Sequence, residues 1–229
     1  MLRAAEDMEL PDTTVQVFTG NSIPEDLTCG AGCMEVTTGA DATAMVSLPA
    51  DGWFAYRVIG NDMIFTTAEV NVPAVADGEG NIEISAVSSG LFNSALVIAD
   101  VTREAGTAVF TGTATDCAGL PLVGAQVRVF GPDGEIEGTQ MASGVRYVYW
   151  PSTGPVPSRT ERYTSRQGRY AGANIPADGT LRAELWGIRS EGGEPELIAC
   201  EEFPGHADHL TILHLPPLRA DAAAGCGGG

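Results

Sequence analysis

The residue types best suited to recognition chemistry are concentrated between positions 146 and 170. This stretch holds five Arg (Arg146, Arg159, Arg162, Arg166, Arg169), four of the chain's five Tyr (Tyr147, Tyr149, Tyr163, Tyr170) and Trp150, against one acid, Glu161. A guanidinium presents a rigid fork of donors, and an aromatic ring gives large contact area with a polar edge. A sugar can stack on such rings and an anionic group can pair with the Arg. Arg146, Tyr147, Tyr149, Trp150, Arg159, Arg162 and Tyr163 are therefore the expected ligand-binding residues. The same residues have a plainer use: 145–150 as an extra strand, with the Arg neutralising an acidic neighbouring module.

Three His lie close together, His206, His209 and His214, with Asp208 among them. Imidazole and carboxylate suit Zn, Cu or Fe. On one continuous strand, however, positions 209 and 214 face opposite sides, which weakens a shared site. These three are weak metal candidates, and no metal or cofactor is expected. No Gly-x-Ser-x-Gly elbow and no phosphate-cradling Gly loop before a helix occurs, so no catalytic residue is expected. The five Cys (Cys29, Cys33, Cys117, Cys200, Cys226) lack zinc-site spacing and suit one or two disulfides plus a spare thiol.

The formal net charge of −18 argues against nucleic acid, whose phosphates are met by clustered basic residues. All 12 basic residues are Arg. The charge is uneven: residues 1–107 carry 16 acids against 3 Arg, and 108–229 carry 14 against 9. No apolar run reaches the roughly 20 residues of a membrane-spanning helix. The opening Met1–Asp7 lacks a charged-then-apolar signal pattern, which implies either a cytoplasmic chain or a mature or truncated form.

The elements that would position these groups are mostly strands. Alternation marks 15–17, 43–48, 53–58, 82–84, 126–130, 181–186 and 210–215. Gly/Pro/Asp turns separate them, and Gly plus Pro make up 29 and 14 residues. One helix is expected near 88–100, capped by Ser88 or Ser89, with Leu91, Ala95 and Ile98 on its apolar face and Gly106 ending the segment.

The chain also matches itself. Thr14–Phe18 resembles Gln126–Phe130, and Pro-Ala-Asp-Gly occurs at 49–52 and again at 176–179. Thr38 and Thr164 each precede that Pro by about a dozen residues. The second copy holds about 15 extra residues between Phe130 and Thr164, a difference read from these spacings.

Residues 112–127, Gly-Thr-Ala-Thr-Asp-Cys-Ala-Gly-Leu-Pro-Leu-Val-Gly-Ala-Gln-Val, followed by Thr164–Tyr170 and Pro176–Gly179, resemble the carboxypeptidase regulatory-like family. That resemblance covers 108–215 and, more weakly, 14–75. It implies a transthyretin-like (prealbumin-like) sandwich, generally non-catalytic, in secreted or surface proteins of the bacterial envelope. Asp116 and Gly119 suit a tight hairpin, Pro121 a strand edge, and Gly124-Ala125 a close crossing. Gly168 suits a second hairpin with Tyr170 pointing inward. Ser165 stands where the family has an acid. Intradiol ring-cleavage dioxygenases open similarly, but their iron-binding Tyr and paired His are not found here.

Cys29–Cys33 is the expected small-loop disulfide, and Cys117–Cys200 a bridge across the second module, with Cys226 able to replace either partner. The expected architecture is all-β: two tandem antiparallel β-sandwich modules (transthyretin-like or Ig-like). They span 1–87 and 107–220, with a helical connector at 88–106 and a flexible tail at 221–229. The expected function is a non-catalytic protein, secreted, periplasmic or on the cell surface, that binds a glycan or protein partner or acts as a structural module. The alternative is a metal-dependent enzyme using the His206–His214 region.

Overall fold

The computed structural model describes residues 2–4, 10–49, 52–75, 81–139, 141–177, 179–188 and 193–215. The chain divides into two compact units, residues 1–94 with 209–212 and residues 95–208 with 213–229. In chain order the strands are β1 (Leu2–Ala4), β2 (Thr14–Phe18), β3 (Cys33–Thr37), β4 (Trp53–Val58), β5 (Ile64–Phe65), β6 (Thr67–Pro73) and β7 (Ile84–Ser88). Helix α1 (Ser89–Ile98) follows. Then come β8 (Thr107–Thr113), β9 (Gln126–Gly131), β10 (Gly134–Glu135), β11 (Arg146–Tyr149), β12 (Arg169–Pro176), β13 (Thr180–Gly187), β14 (Glu196–Pro204) and β15 (Leu210–Leu213).

In the first unit β15, β6, β4, β2 and β3 are successive neighbours, and β1, β7 and β5 form a second, smaller sheet. In the second unit β11, β12 and β8 are neighbours in one sheet, and β10, β9, β13 and β14 form the other. The pairing is not antiparallel throughout, as the sequence suggested. β6–β15 and β1–β7 are parallel. Alternation reveals that a strand exists, whereas its partner depends on where the chain returns.

Each unit buries its own apolar faces. The first packs Val15, Val17, Phe54, Tyr56, Val58 and Val72 together. The second sets the Phe110 ring edge-on to Phe203, centroids 5.8 Å apart, and tilted to Tyr170 at 6.3 Å. Each such ring stabilises its unit by roughly 1.5–3 kcal/mol on burial. Gly172 is required here, because a side chain on it would stand 2.2 Å from Phe110.

One hydrogen-bond arrangement occurs in both units. The Thr38 N–H donates to the Thr13 carbonyl (3.0 Å), its hydroxyl accepts from the Thr13 N–H (2.9 Å), and its carbonyl accepts from the Asp12 N–H (3.1 Å). The Thr164 N–H donates to the Ala125 carbonyl (2.8 Å), its hydroxyl accepts from the Ala125 N–H (2.9 Å), and its carbonyl accepts from the Gly124 N–H (2.7 Å). Asp12 and Gly124 both adopt left-handed backbone, φ 53° and 82°. Thr13 and Ala125 immediately precede β2 and β9. The next strand keeps the same register: Val15, Gln16 and Val17 oppose Val58, Arg57 and Tyr56, as Val127, Arg128 and Val129 oppose Leu185, Glu184 and Ala183. One strand further, Tyr56 opposes Glu69 and Ala183 opposes Glu201, both buried glutamates.

Three local expectations change. Residues 43–48 form no strand: Gly39, Asp41 and Thr43 make a turn, and Met45 is 95% exposed. Helix α1 exists and Ser88 caps it, its hydroxyl accepting from the Leu91 N–H (3.1 Å). Its anchor is Phe92, stacked on Phe65 at 4.1 Å, not the face of Leu91 and Ile98, which are 37% and 38% exposed. The helix ends earlier than Gly106. Asp100 turns left-handed (φ 59°), and Val101 N–H reaches back to Leu96 (2.9 Å) while Asp100 N–H reaches Val97 (3.1 Å). The Pro-Ala-Asp-Gly turns fall partly outside the described residues, at 50, 51 and 178.

Thr38→Val and Thr164→Val each leave a buried N–H without its acceptor. Each variant is expected to lower unfolding stability by about 1–3 kcal/mol, with Thr→Ser retaining most of it, as read from urea unfolding midpoints.

Candidate functional site

Most of the Arg- and Tyr-rich segment is committed to the fold. Arg146 is buried, and its guanidinium donates to the carbonyls of Met141 (3.1 Å) and Ala99 (3.4 Å). Arg159 donates through Nε to the Ile98 carbonyl (2.7 Å) and through Nη2 to Val97 (3.3 Å). Those carbonyls end α1, where the helix dipole favours a cation. The Tyr147 hydroxyl donates to the Ile136 carbonyl (2.7 Å), and the Tyr149 hydroxyl accepts from the Val127 N–H (3.0 Å). Trp150 Nε1 donates to the Pro155 carbonyl (3.0 Å). Arg162 and Tyr163 are exposed. The plainer strand reading thus describes 146–149, which is β11, while the ligand reading retains Arg162 and Tyr163.

Burial explains the phenols. It pushes Tyr149 up to about 12 and Tyr147 and Tyr170 further, each chiefly through desolvation of the ionised form. In the first unit Tyr56 is raised well above its ordinary value by burial, then by the charge of Glu69. The Tyr56 hydroxyl donates to the Glu69 carboxylate and accepts from the Ser85 N–H (2.7 Å), tying β4 to β6 and β7.

His206 is buried, His209 half-buried and His214 exposed. Asp208 instead pairs with Arg103 and accepts from the Gly106 N–H (3.2 Å). Among the described residues no three His, Cys, Asp or Glu come together as metal ligands. Among the described residues no helix is long and apolar enough to cross a membrane.

The cysteines correct one pairing. Cys29–Cys33 is a disulfide. Cys117 is a free, exposed thiol on the turn where Asp116 Oδ1 accepts from the Ala118 and Leu120 N–H groups (2.8 and 2.9 Å), so Cys117–Cys200 does not form. Cys200 is disulfide-bonded. Cys226 lies outside the described residues.

Two features escaped the sequence. Gln167 Nε2 donates to the Pro151 and Gly154 carbonyls (2.6 and 2.7 Å), fastening the long insertion. On the face shared by β9 and β13, Arg128 lies over Trp186 (4.9 Å to the ring centre) and Arg182 over Phe130 (4.7 Å), with Arg182 paired to Glu184 at 2.9 Å. The alternation of both strands carried that signal, but only cross-strand register brings the partners together.

No family model matches the chain, and no curated protein matches it. Solved structures similar to it include the shaft pilin SpaA of Lactobacillus rhamnosus GG (D295N mutant), at 13% identity and TM-score 0.27, covering 95% of this chain and 96% of that one. Others are the Bacillus anthracis TIE protein (12%, TM-score 0.25, 95% and 33%) and a streptococcal ancillary pilin (12%, TM-score 0.25, 95% and 61%). A likeness of this size decides neither fold nor function.

Two measurements follow from this geometry. Tyr149→Phe strands the Val127 N–H and is expected to cost about 1–3 kcal/mol in unfolding stability. Because the raised phenols hold protons that the unfolded chain releases, stability is full below about pH 10 and falls as pH rises above it. Absorbance at about 295 nm on alkaline titration is expected to show Tyr56, Tyr147 and Tyr170 silent at pH 11 until the chain unfolds, with Tyr149 the first of the four to respond.

Proposed function

We propose that this chain is a non-catalytic structural and adhesive protein of an extracytoplasmic or cell-surface setting. It is built from two tandem β-sandwich modules of common origin. The repeated threonine clamp with its repeated register supports the reading of two related modules. The half-cystines Cys29, Cys33 and Cys200 support an oxidising compartment. The Asp116 turn, left-handed Gly168 and buried Tyr170 support the carboxypeptidase regulatory-like reading of the second module.

A glycan or protein partner would meet Arg162 and Tyr163, whose neighbours hold the insertion in place. The test is a glycan array, with purified envelope proteins as a second panel. Binding is expected to fall about tenfold in an Arg162→Ala, Tyr163→Ala double variant that its unfolding transition shows to be folded. Turnover of a substrate that is lost in a His209→Ala, His214→Ala double variant would overturn the reading in favour of a metal-dependent enzyme. Alkylation mapping supplies the compartment test: Cys117 is expected to label in the native protein, and Cys29, Cys33 and Cys200 only after reduction.

A further inference from the structure

Strand β3 is an edge strand, and among the described residues β2 is the only strand paired with it. Its outward groups follow from the ladder. The Thr19 N–H donates to the Gly32 carbonyl (2.7 Å) and the Thr38 N–H to the Thr13 carbonyl (3.0 Å), which fixes the alternate hydrogen-bonded pairs as 17 with 34 and 15 with 36. Met34 and Val36 therefore turn their backbone groups to β2. Cys33, Glu35 and Thr37 turn theirs away, and the Cys33 N–H is taken by the Gly30 carbonyl (3.1 Å). Glu35 and Thr37, both exposed, are left presenting donors and acceptors at strand spacing.

Two further features adjoin this edge. A cavity of about 380 Å³ opens at the start of β3, walled by Phe18, Thr19, Pro24, Thr28, Gly32 and Cys33. The disulfide Cys29–Cys33 closes the loop beside it, so the wall is covalently held. The surroundings are mainly acidic: no Lys, Arg or His occurs from residue 4 to residue 56, while Asp12, Glu25, Asp26, Glu35 and Asp41 do. The nearby cation is Arg57 of β4, whose charge interacts with Glu35, and the Glu35 carboxylate also accepts from Gln16 Nε2 (2.7 Å). Hydrogen bonds from Thr28 and Thr43 hold the carboxyls of Asp26 and Asp41 below their ordinary value, so these charges persist into mild acid.

We propose that the β3 edge is a docking site for an extended, basic segment of a partner protein. The segment adds as a strand beside Glu35 and Thr37, and its end residue enters the cavity by Phe18 and Pro24. Main-chain hydrogen bonds give such a contact its affinity, and charge and the pocket its selectivity. The site is independent of Arg162 and Tyr163, so each can fail alone.

The probe is a fluorescent six-residue peptide alternating Val and Lys, followed by anisotropy against the full chain. A Val/Glu peptide and a backbone N-methylated Val/Lys peptide are the controls. Thr37→Pro removes only an outward N–H, which an edge strand tolerates, and is expected to weaken the Val/Lys peptide at least about fivefold. Glu35→Lys is expected to weaken it similarly, and added salt to weaken wild-type binding. Unfolding midpoints of both variants confirm that they fold. Equal binding of the Val/Glu or N-methylated peptide, or undiminished binding in both variants, would overturn the proposal. So would a dimer of the chain that Thr37→Pro dissolves, which makes a second copy the occupant.

Discussion

The structure depends on a hydroxyl that takes over a ladder bond. At Thr38 and at Thr164 a side-chain oxygen stands in for a backbone carbonyl, accepting the N–H of the residue that enters β2 or β9. The neighbouring residue, Asp12 or Gly124, turns left-handed so that its own N–H reaches the same threonine's carbonyl. Three bonds thus fix where the first strand starts and where the chain coming back must lie. Since side chains alternate along a strand, that start decides which face is buried. Val15 and Val17 go inward in one unit, and Val127 and Val129 in the other.

From that point the two units diverge where the chain length differs. The first passes from Phe18 to Thr38 through one loop and β3. The second fills the corresponding interval, Phe130 to Thr164, with β10, β11 and the loop fastened by Gln167. Its arginines serve as backbone clamps. Arg146 and Arg159 bond carbonyls at the end of α1, so the insertion supplies what that helix terminus otherwise lacks.

Local periodicity made β2, β4, β9, β13 and β15 readable, along with the helix and its Ser88 cap. The threonines were readable as spacing, though their role as acceptors was not. What the sequence withheld is what depends on distant partners. Met45 and Val46 alternate like a strand, yet among the described residues no strand pairs with them, and Met45 stands in solvent. Phe92 outweighs the Leu91 and Ile98 face because Phe65 comes to meet it. Arg146, Tyr147 and Tyr149 looked like a binding surface, because a side chain that recognises a ligand and one that recognises the chain's own backbone use the same atoms.

The shared register has a cost during folding that the finished structure hides. Two units with the same strand alignment can exchange strands while they assemble. If β9 took the place of β2 beside β4, Arg128 would stand directly across from Arg57. If β2 replaced β9 beside β13, Glu184 would face Gln16 in place of Arg128. The first wrong pairing sets like charges across from each other, and the second leaves Glu184 paired with Arg182 of its own strand but with no cation opposite it. The polar pair in the middle of each strand is thus where two ladders of the same register differ: Gln16 with Arg57 in one, Arg128 with Glu184 in the other.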